Sequence, residues 1–577
     1  MKTLYKMMIV AACSLSFTGC YDLDCFPEDK LSSGTFWKNQ QHADMGMMGV
    51  YSVLQYDDAM GRYFALDCMT DIGYANSDYV YSSIARGTTN ARSSVYKNRW
   101  KNLYEGVTRS NTALQNIPAT DMSDEQKAKY MAEAKFLRSF YYFQLLDLFG
   151  GVPLYDEATI VSNEFNNMKK PRSTADDTRK FILDDLEAAI NSLPDKWDEA
   201  NYGRATRGAA YALKGKVLLF NKQYADAEKC FEAISGANAA TYGYELYDNY
   251  ADIFTPAGDE SGEMVFAIQN KGGKGEDYGM PMAWYLGTRS TFNGNGWNSS
   301  TMATEFVATY EHKTDGKPLD WDVDICAGMS GDDDLKKEVF ISEMSKDGTE
   351  VASYTSYRQQ LLALWDDLDP RLAATVILPY TTYDGWIKNA PKLCEYVVAE
   401  GNPLAQNGFL QADNSKTKNY FWRKFVPEGN LNGELNNRAD TPINFPIIRY
   451  ADVLLMLAEC YNETGNGDPI ALINQVRARQ SVNMPAINSG SSYLAATSKA
   501  EIFERIKHER AVEFAGEGLR FSDLKRWGLL ETMNGVAKKS MLGGQFYKHV
   551  ASKRDYLWPI PGDEKDKNPD LEQNPGW

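Results

Sequence analysis

The stretch DEQKAKYMAEAKFLRSFYYFQLLDLF, Asp124–Phe149, followed at once by GGVP, decides the fold class. Its apolar residues recur at spacings of three and four, the period of a helix that buries a face. Glycine frees the backbone and proline cannot continue helical hydrogen bonding, so the helix stops there. Working outward, TADDTRKFILDDLEAAINSL (Thr174–Leu193) repeats the pattern, with Thr174 placed as N-cap and Pro194 just past the end. Residues 204–234 read as a helix pair, RATRGAAYALKGKVLLFNK and QYADAEKCFEAI, split by a turn. Ala209, Ala210 and Gly215 let two helices approach closely, and Tyr224, Ala227 and Phe231 share one face. A second helical block starts at Tyr450 with YADVLLMLAECYNETG, continues through PIALINQVRARQ and ends in SKAEIFERIKHERAVEFAGEGLRFSDLKRWG. The expected fold is mainly α, with tetratricopeptide-like helix pairs too degenerate to align by period.

Between the blocks the character changes. Residues 245–440 are rich in Gly, Asn, Asp, Ser, Tyr and Trp, and GGKGEDYGMPMAWYLGTRSTFNGNGWNSS reads as a long irregular loop. Long loops inside a compact protein are usually functional or disordered, and disordered segments tend to be aromatic-poor. A helical scaffold over 31–244 and 441–577 therefore carries a loop-rich insertion within one domain, 31–577.

Composition narrows the function. The chain has 577 residues, enough for a substantial core. A net charge of −17, from 78 acidic and 61 basic side chains, gives no global attraction to nucleic acid. The eight cysteines include no CxxC pair, and Cys68, Cys230, Cys326, Cys394 and Cys460 read as small buried hydrophobes. The 12 Trp, 35 Tyr and 25 Phe make the chain 12% aromatic, which suits both core packing and wet stacking surfaces.

The N-terminus reads MKTLYKMMIVAACSLSFTGC and then turns acidic with YDLD. Cys13, Cys20 and Cys25 could belong to a disulfide framework. A lipoprotein signal explains more: Lys2 and Lys6 supply the positive start, Met7 to Phe17 a short apolar run, and Thr18 and Gly19 the small residues before a cut. Phe17 departs from the commoner Leu. Residues 1–19 are then the signal peptide, Cys20 the lipidated residue and 20–30 the tether. Acyl chains add about 0.8 kcal/mol of membrane affinity per buried methylene.

Several strings together resemble the SusD-like (RagB/SusD) family of outer-membrane lipoproteins. They are PEDKLSSGTFWKNQQHADMGMMGVYSVLQ (Pro27–Gln55), AEAKFLRSFYYFQLLDLFGGVPL (Ala132–Leu154), NFPIIRYADVLLMLAECYNETG (Asn444–Gly465), INQVRARQ (Ile473–Gln480), ERAVEFAGEGLRFSDLKRWG (Glu509–Gly528) and YLWPIPGDEKDKNPDLEQNPGW (Tyr556–Trp577). Their order matches, and they run over essentially the whole chain. Arg138, Arg449, Asp452, Glu517, Arg520 and Asp523 within them are expected to form buried ion pairs, since buried charges need partners. Trp100 and Trp527 are read as core.

The resemblance implies a lipid-anchored protein on the cell surface, at the outer membrane. It implies capture of oligosaccharide and delivery to a SusC-like TonB-dependent barrel transporter. The same fold and partner with a peptide or other nutrient as cargo is the alternative. A protein-interaction scaffold without a small ligand is a third reading.

Signs of an enzyme or a cofactor are few. None of His42, His312, His508 and His549 lies in HExxH or a paired ligand spacing, and His508 in IKHER reads as solvated. GxSxG, GxxxxGK[ST] and zinc-type cysteine clusters do not occur. DWDVD (Asp320–Asp324) and WDDLDPR (Trp365–Arg371) are carboxylate-rich but read as solvated faces, and GDDD (Gly331–Asp334) lacks the rest of a calcium loop. No catalytic residue, metal or cofactor is expected.

Sugars offer apolar C–H faces and many hydroxyls, so binding them needs aromatic platforms beside hydrogen-bonding groups. Two loops provide that mixture. DCMTDIGYANSDYVYSS contributes Asp71, Tyr74, Asn76, Asp78, Tyr79 and Tyr81, and the family's ligand surface draws on the corresponding segment before the helix containing Trp100 and Tyr104. AWYLGTRSTFNGNGW contributes Trp284, Tyr285, Arg289, Asn293 and Trp297, with glycines that let a ligand approach the backbone. Arg371, in a DPR string that recurs in the family, and Tyr396 are further candidates, a structural role for Arg371 staying open.

Overall fold

Asp124–Phe149 is one unbroken helix of 26 residues. Ser123 caps it by accepting a hydrogen bond from the Gln126 N–H at 3.2 Å, and Gly150 ends it at φ 78°. The computed structural model describes residues 36–159, 168–276, 278–401, 403–412 and 418–577. The expected signal 1–19, lipidated Cys20 and tether 20–30 lie outside them.

Helices of seven or more residues are numbered in chain order: α1 (Gln40–Tyr51), α2 (Ser94–Asn116), α3 (Asp124–Phe149), α4 (Ala175–Ser192), α5 (Arg207–Phe220), α6 (Tyr224–Glu232), α7 (Asp333–Phe340), α8 (Arg358–Asp367), α9 (Tyr450–Thr464), α10 (Pro469–Arg477), α11 (Lys499–Phe514) and α12 (Arg520–Arg526). From α2 to α6 each helix packs on the next; α6 then packs on α9, which packs on α10 and α11. The two scaffold blocks thus join into one helical stack although about 200 residues separate them in sequence.

Helix α3 lies between α2 and α4 and is buried on all sides along its last two thirds. A one-faced helix would leave its tyrosines wet; here they are enclosed and each finds an acceptor. Tyr141 donates to the Val50 carbonyl at 2.7 Å, Tyr142 to the Tyr155 carbonyl at 3.0 Å and Tyr130 to Asp44 at 2.8 Å. The Thr174 hydroxyl accepts from the Asp177 N–H at 3.0 Å, capping α4 as its sequence predicts. Gly215 lies against Phe231, where a Cβ would come within 2.5 Å of the ring; that contact is the close approach of α5 and α6.

The middle of the chain is more ordered than a loop-rich reading suggests. It holds α7, α8 and several two-stranded sheets. Thr382–Ile387 pairs antiparallel with Ala390–Glu395 about a two-residue turn, Lys388–Asn389, whose φ values of 52° and 59° suit a tight hairpin. Met264–Ile268 pairs with Phe445–Arg449, stitching the start of this region to the return of the scaffold.

Charge is buried at the heart of the stack. Arg449 binds Glu263 at 2.6 Å, Glu513 at 3.1 Å and Glu517 at 2.8 Å; Arg479 binds Glu263 at 2.7 Å and Glu513 at 2.9 Å. Arg510 joins Asp452 and Asp523, and Arg138 joins Asp185 and Glu157. These are the ion pairs expected from the family strings, with Arg520 closing on Asp71 at 2.7 Å. Burial alone would raise the Glu513 carboxyl, but Arg479, Arg449 and Arg371 around it hold it far below the usual range.

Arg371 belongs to this network and not to a ligand surface. It is 0% exposed, with Asp369 at 2.7 Å, Glu509 at 2.5 Å and Glu513 at 2.9 Å. Tyr396, 2% exposed, is also core and donates to the Asn419 carbonyl. His508 differs from its solvated reading: its ring faces buried Glu311 at 3.5 Å, and burial lowers its pKa. The two acidic strings likewise meet, because His312 is held between Asp324 (3.1 Å) and Asp367 (2.7 Å).

Candidate functional site

The two loops singled out in the sequence, more than 200 residues apart, are sewn together. Gly73–Ala75 pairs antiparallel with Ser300–Met302, Tyr74 facing Thr301 across the ladder. Just beyond, the Asn76 N–H donates to the Ser299 carbonyl at 3.1 Å and its side-chain amide to the Asn298 carbonyl at 3.4 Å. On the other loop the Trp297 N–H donates to the Trp284 carbonyl at 2.8 Å, folding that segment back on itself.

This backbone framework lines up four aromatic rings from both loops. Tyr79 stacks toward Tyr285 (centroids 6.1 Å apart), Tyr285 lies flat on Trp284 (5.0 Å, 6° between planes), and Trp297 meets Trp284 edge-on at 4.9 Å. Tyr79 is 57% exposed, Trp284 and Trp297 are half-buried, and Tyr285 is 2% exposed. Tyr285 therefore supports its neighbours more than it offers a face. The indole N–H of Trp284 is buried without a hydrogen-bond partner.

Cations border the string. Arg438 lies over the Trp284 ring at 4.1 Å and the Trp297 ring at 4.8 Å, and donates to the Asn295 carbonyl at 3.2 Å. Arg62 sits 6.0 Å from the Tyr79 ring, donates to the Tyr79 carbonyl at 2.9 Å and pairs with Asp58. Arg289 binds the Gly294 carbonyl at 3.0 Å, bracing the tight turn in which Asn293 adopts φ 55°. Sequence reasoning missed Arg62 and Arg438. Arg438 lies in NNRAD, outside both loops, and carries no motif, so only the fold brings it to the rings.

Other predicted site residues are spent on structure. Tyr74 is 2% exposed and stacked on Phe546 at 4.9 Å; Tyr81 is 1% exposed, and its hydroxyl accepts from Arg99 at 2.5 Å. Both are side chains a ligand would not reach, because strand pairing turns Tyr74 inward and the left-handed backbone at Tyr81 (φ 65°) aims it at α2. Asp71 accepts two hydrogen bonds from Arg520, at 2.9 and 2.7 Å. Burial alone would raise its pKa; Arg520 outweighs that and holds it low. Asn293 exchanges hydrogen bonds with Asn389 at 2.9 and 2.8 Å, which ties the turn to the 382–395 hairpin. Asp78 is exposed and caps the Ser83 N–H at 2.9 Å. Accessible rings with hydrogen-bonding rims remain at Asn76, Asp78, Tyr79, Trp284, Arg289 and Trp297.

Among the described residues no group of three or more His, Cys, Asp or Glu could hold a metal ion, and no helix is long and apolar enough to cross a membrane.

Known proteins share this architecture. A SusD-like carbohydrate-binding protein from Bacteroides fragilis superposes with a TM-score of 0.73 at 23% identity, over 93% of this chain and all of that one. Surface glycan-binding protein A from Bacteroides thetaiotaomicron, solved with laminarihexaose, gives 0.62 at 20% identity over 93% of this chain and all of that one. In sequence the chain is 25% identical to SusD-like protein P25 of Formosa agariphila over 539 residues, covering 89% of this chain and 88% of the relative. A family model described as starch-binding associating with outer membrane matches residues 23–219, and the SusD family model matches 262–577. With the second of these spanning more than half of its length, the chain belongs to the SusD family.

Proposed function

We propose that this protein binds oligosaccharide at the cell surface on the Tyr79–Tyr285–Trp284–Trp297 string and passes it to a SusC-like TonB-dependent transporter, anchored to the outer membrane through lipid on Cys20. The observation that carries the reading is the convergence of two aromatic loops into one row of rings with guanidinium groups beside it. Ring faces take the apolar C–H faces of sugars, while Arg, Asn and Asp side chains hydrogen-bond to hydroxyls. The likeness to a carbohydrate-binding relative and to one solved with laminarihexaose supports sugar as the cargo, and the family description supports the outer membrane. No chemistry is needed for such a role, only capture and release.

Affinity electrophoresis against a panel of neutral and acidic polysaccharides tests it. Retardation by one glycan, lost in Trp297→Ala, supports both function and site. Retardation that survives Trp297→Ala and Tyr79→Ala overturns the site, and no retardation by any glycan overturns the cargo.

A further inference from the structure

His312 sits where three segments meet. It begins a tight hairpin, in which its N–H donates to the Lys317 carbonyl at 2.8 Å and the Leu319 N–H donates to the Tyr310 carbonyl at 3.0 Å. Its Nε2 faces Asp324 at 3.1 Å, the end of the single helical turn Trp321–Asp324. Its Nδ1 faces Asp367 at 2.7 Å, the last residue of α8. The ring is nearly enclosed, with 11% of its side chain exposed.

An ionised carboxylate only accepts hydrogen bonds, and a neutral imidazole has a single N–H. Asp324 also accepts from the Asp320 N–H at 2.7 Å and from Lys317 at 3.2 Å. Burial alone would raise its pKa, but these donors and His312 hold it low, so it is an anion. Only the imidazolium donates from both nitrogens and so makes both contacts at once. Burial alone would lower the His312 pKa; Asp367 and Asp324 outweigh that and raise it above its ordinary value.

The other charges of these segments are engaged elsewhere. Glu311 binds Arg477 and Arg505, Lys313 pairs with Asp366, and Asp369 pairs with Arg371. Asp315, Asp320 and Asp322 accept from the backbone N–H groups of Lys317, Asp322 and Ser330. The ring proton therefore answers to Asp324 and Asp367. Without it, one nitrogen would turn a lone pair toward a carboxylate, and one of the two ties would be lost. Gln360 of α8 also donates to the Asp324 and Ile325 carbonyls, at 2.9 and 3.1 Å, so the turn would loosen without detaching.

We propose that His312 is a proton-operated latch. Protonated, it fastens the Trp321–Asp324 turn to the end of α8; deprotonated, it lets go of one side, so the segment 313–325 is firm in acid and looser in alkali.

The chain has four histidines, so imidazole NMR of the whole folded protein can separate them, and His312→Gln identifies the signal. At about pH 6 both His312 nitrogens should carry protons, and the ring should titrate above the ordinary value of about 6.5. Amide hydrogen exchange over 313–325, corrected for the intrinsic pH dependence of exchange, gives the second readout. It should be flat below about pH 6.5, then rise up to about ten-fold per pH unit until the ring has titrated. His312→Gln should remove that dependence. Asp367→Asn, a milder change at a half-buried carboxylate, should lower the titration midpoint, and it decides the matter if His312→Gln does not fold. A side chain that merely packs would leave the midpoint unmoved. The proposal is overturned if one ring nitrogen lacks a proton at about pH 6, if Asp367→Asn leaves the midpoint unchanged, or if wild-type exchange over 313–325 does not depend on pH.

Discussion

Arg371 and Arg438 are the same residue type in opposite circumstances. Arg371 is sealed in the stack with Asp369, Glu509 and Glu513 all within 2.9 Å. Arg438 is half-exposed, lies across two indole faces and donates to one backbone carbonyl. A guanidinium has five N–H donors. In the first place carboxylates consume them, and in the second one donor meets a carbonyl while the guanidinium lies over two rings. The difference teaches that buried charge in this protein is architecture, whereas the proposed site has its charge beside half-buried rings.

The sharpest way to break the comparison is Arg371→Ala. Removing one partner of a buried ion cluster leaves uncompensated carboxylates and costs about 3–5 kcal/mol. Chemical denaturation should register that loss; a variant as stable as the wild type would mean the cluster is not architectural.

Asp67 tests the same rule from the carboxylate side. It is buried with no cation in direct contact, accepting instead from the N–H groups of Gly516 (2.8 Å) and Gly518 (3.2 Å). Burial pushes its carboxyl up to about 7, only partly offset by those hydrogen bonds. Because the folded value lies above the unfolded one, its contribution is fully present below about pH 4 and is lost as pH rises through about 7, at a slope of up to about 1.4 kcal/mol per pH unit. Asp67→Asn keeps an acceptor for both glycines and removes the ionisation. Unfolding free energies at pH 5 and pH 8 should therefore draw together in the variant, and an unchanged pH slope would sink the assignment.

At the aromatic string the expected effects move from stability to binding. Trp297→Ala should weaken glycan binding about ten-fold or more, which is ~1.4 kcal/mol, with little change in melting temperature. Tyr79→Ala, at the exposed end, should cost less, about 0.5–1 kcal/mol of affinity. Titration calorimetry with the retarded glycan ranks the two. Equal losses would mean that the ligand lies along the whole row, and a larger loss at Tyr79 would shift the binding centre toward Arg62.

Helices were the most legible part of the chain. Asp124–Phe149 and the Thr174 cap were readable because helical period and capping are local in sequence. The buried ion pairs were readable as a class, since charges inside helices that carry the core need partners. Their pairings were not, because Arg449 reaches Glu263 across 186 positions. The 245–440 region read as irregular because its strands are two to six residues long and three of their pairings are distant, giving no sustained period.

The proposed site was half legible. Both aromatic loops could be picked from composition, yet which rings face out could not. Tyr74 and Tyr79 stand five residues apart in the same string, and strand pairing buries one while the other stays open.

What the sequence by itself determined is the helical scaffold, the need for internal ion pairs and the two aromatic loops, all properties of short segments. What only the tertiary structure decided is the joining of those loops by the 73–75 and 300–302 strand pair, the arrival of Arg62 and Arg438, and the enclosure of Arg371 and Tyr396. The physical reason is that exposure and pairing depend on which distant segment packs against a residue, and long-range packing leaves no local period to read.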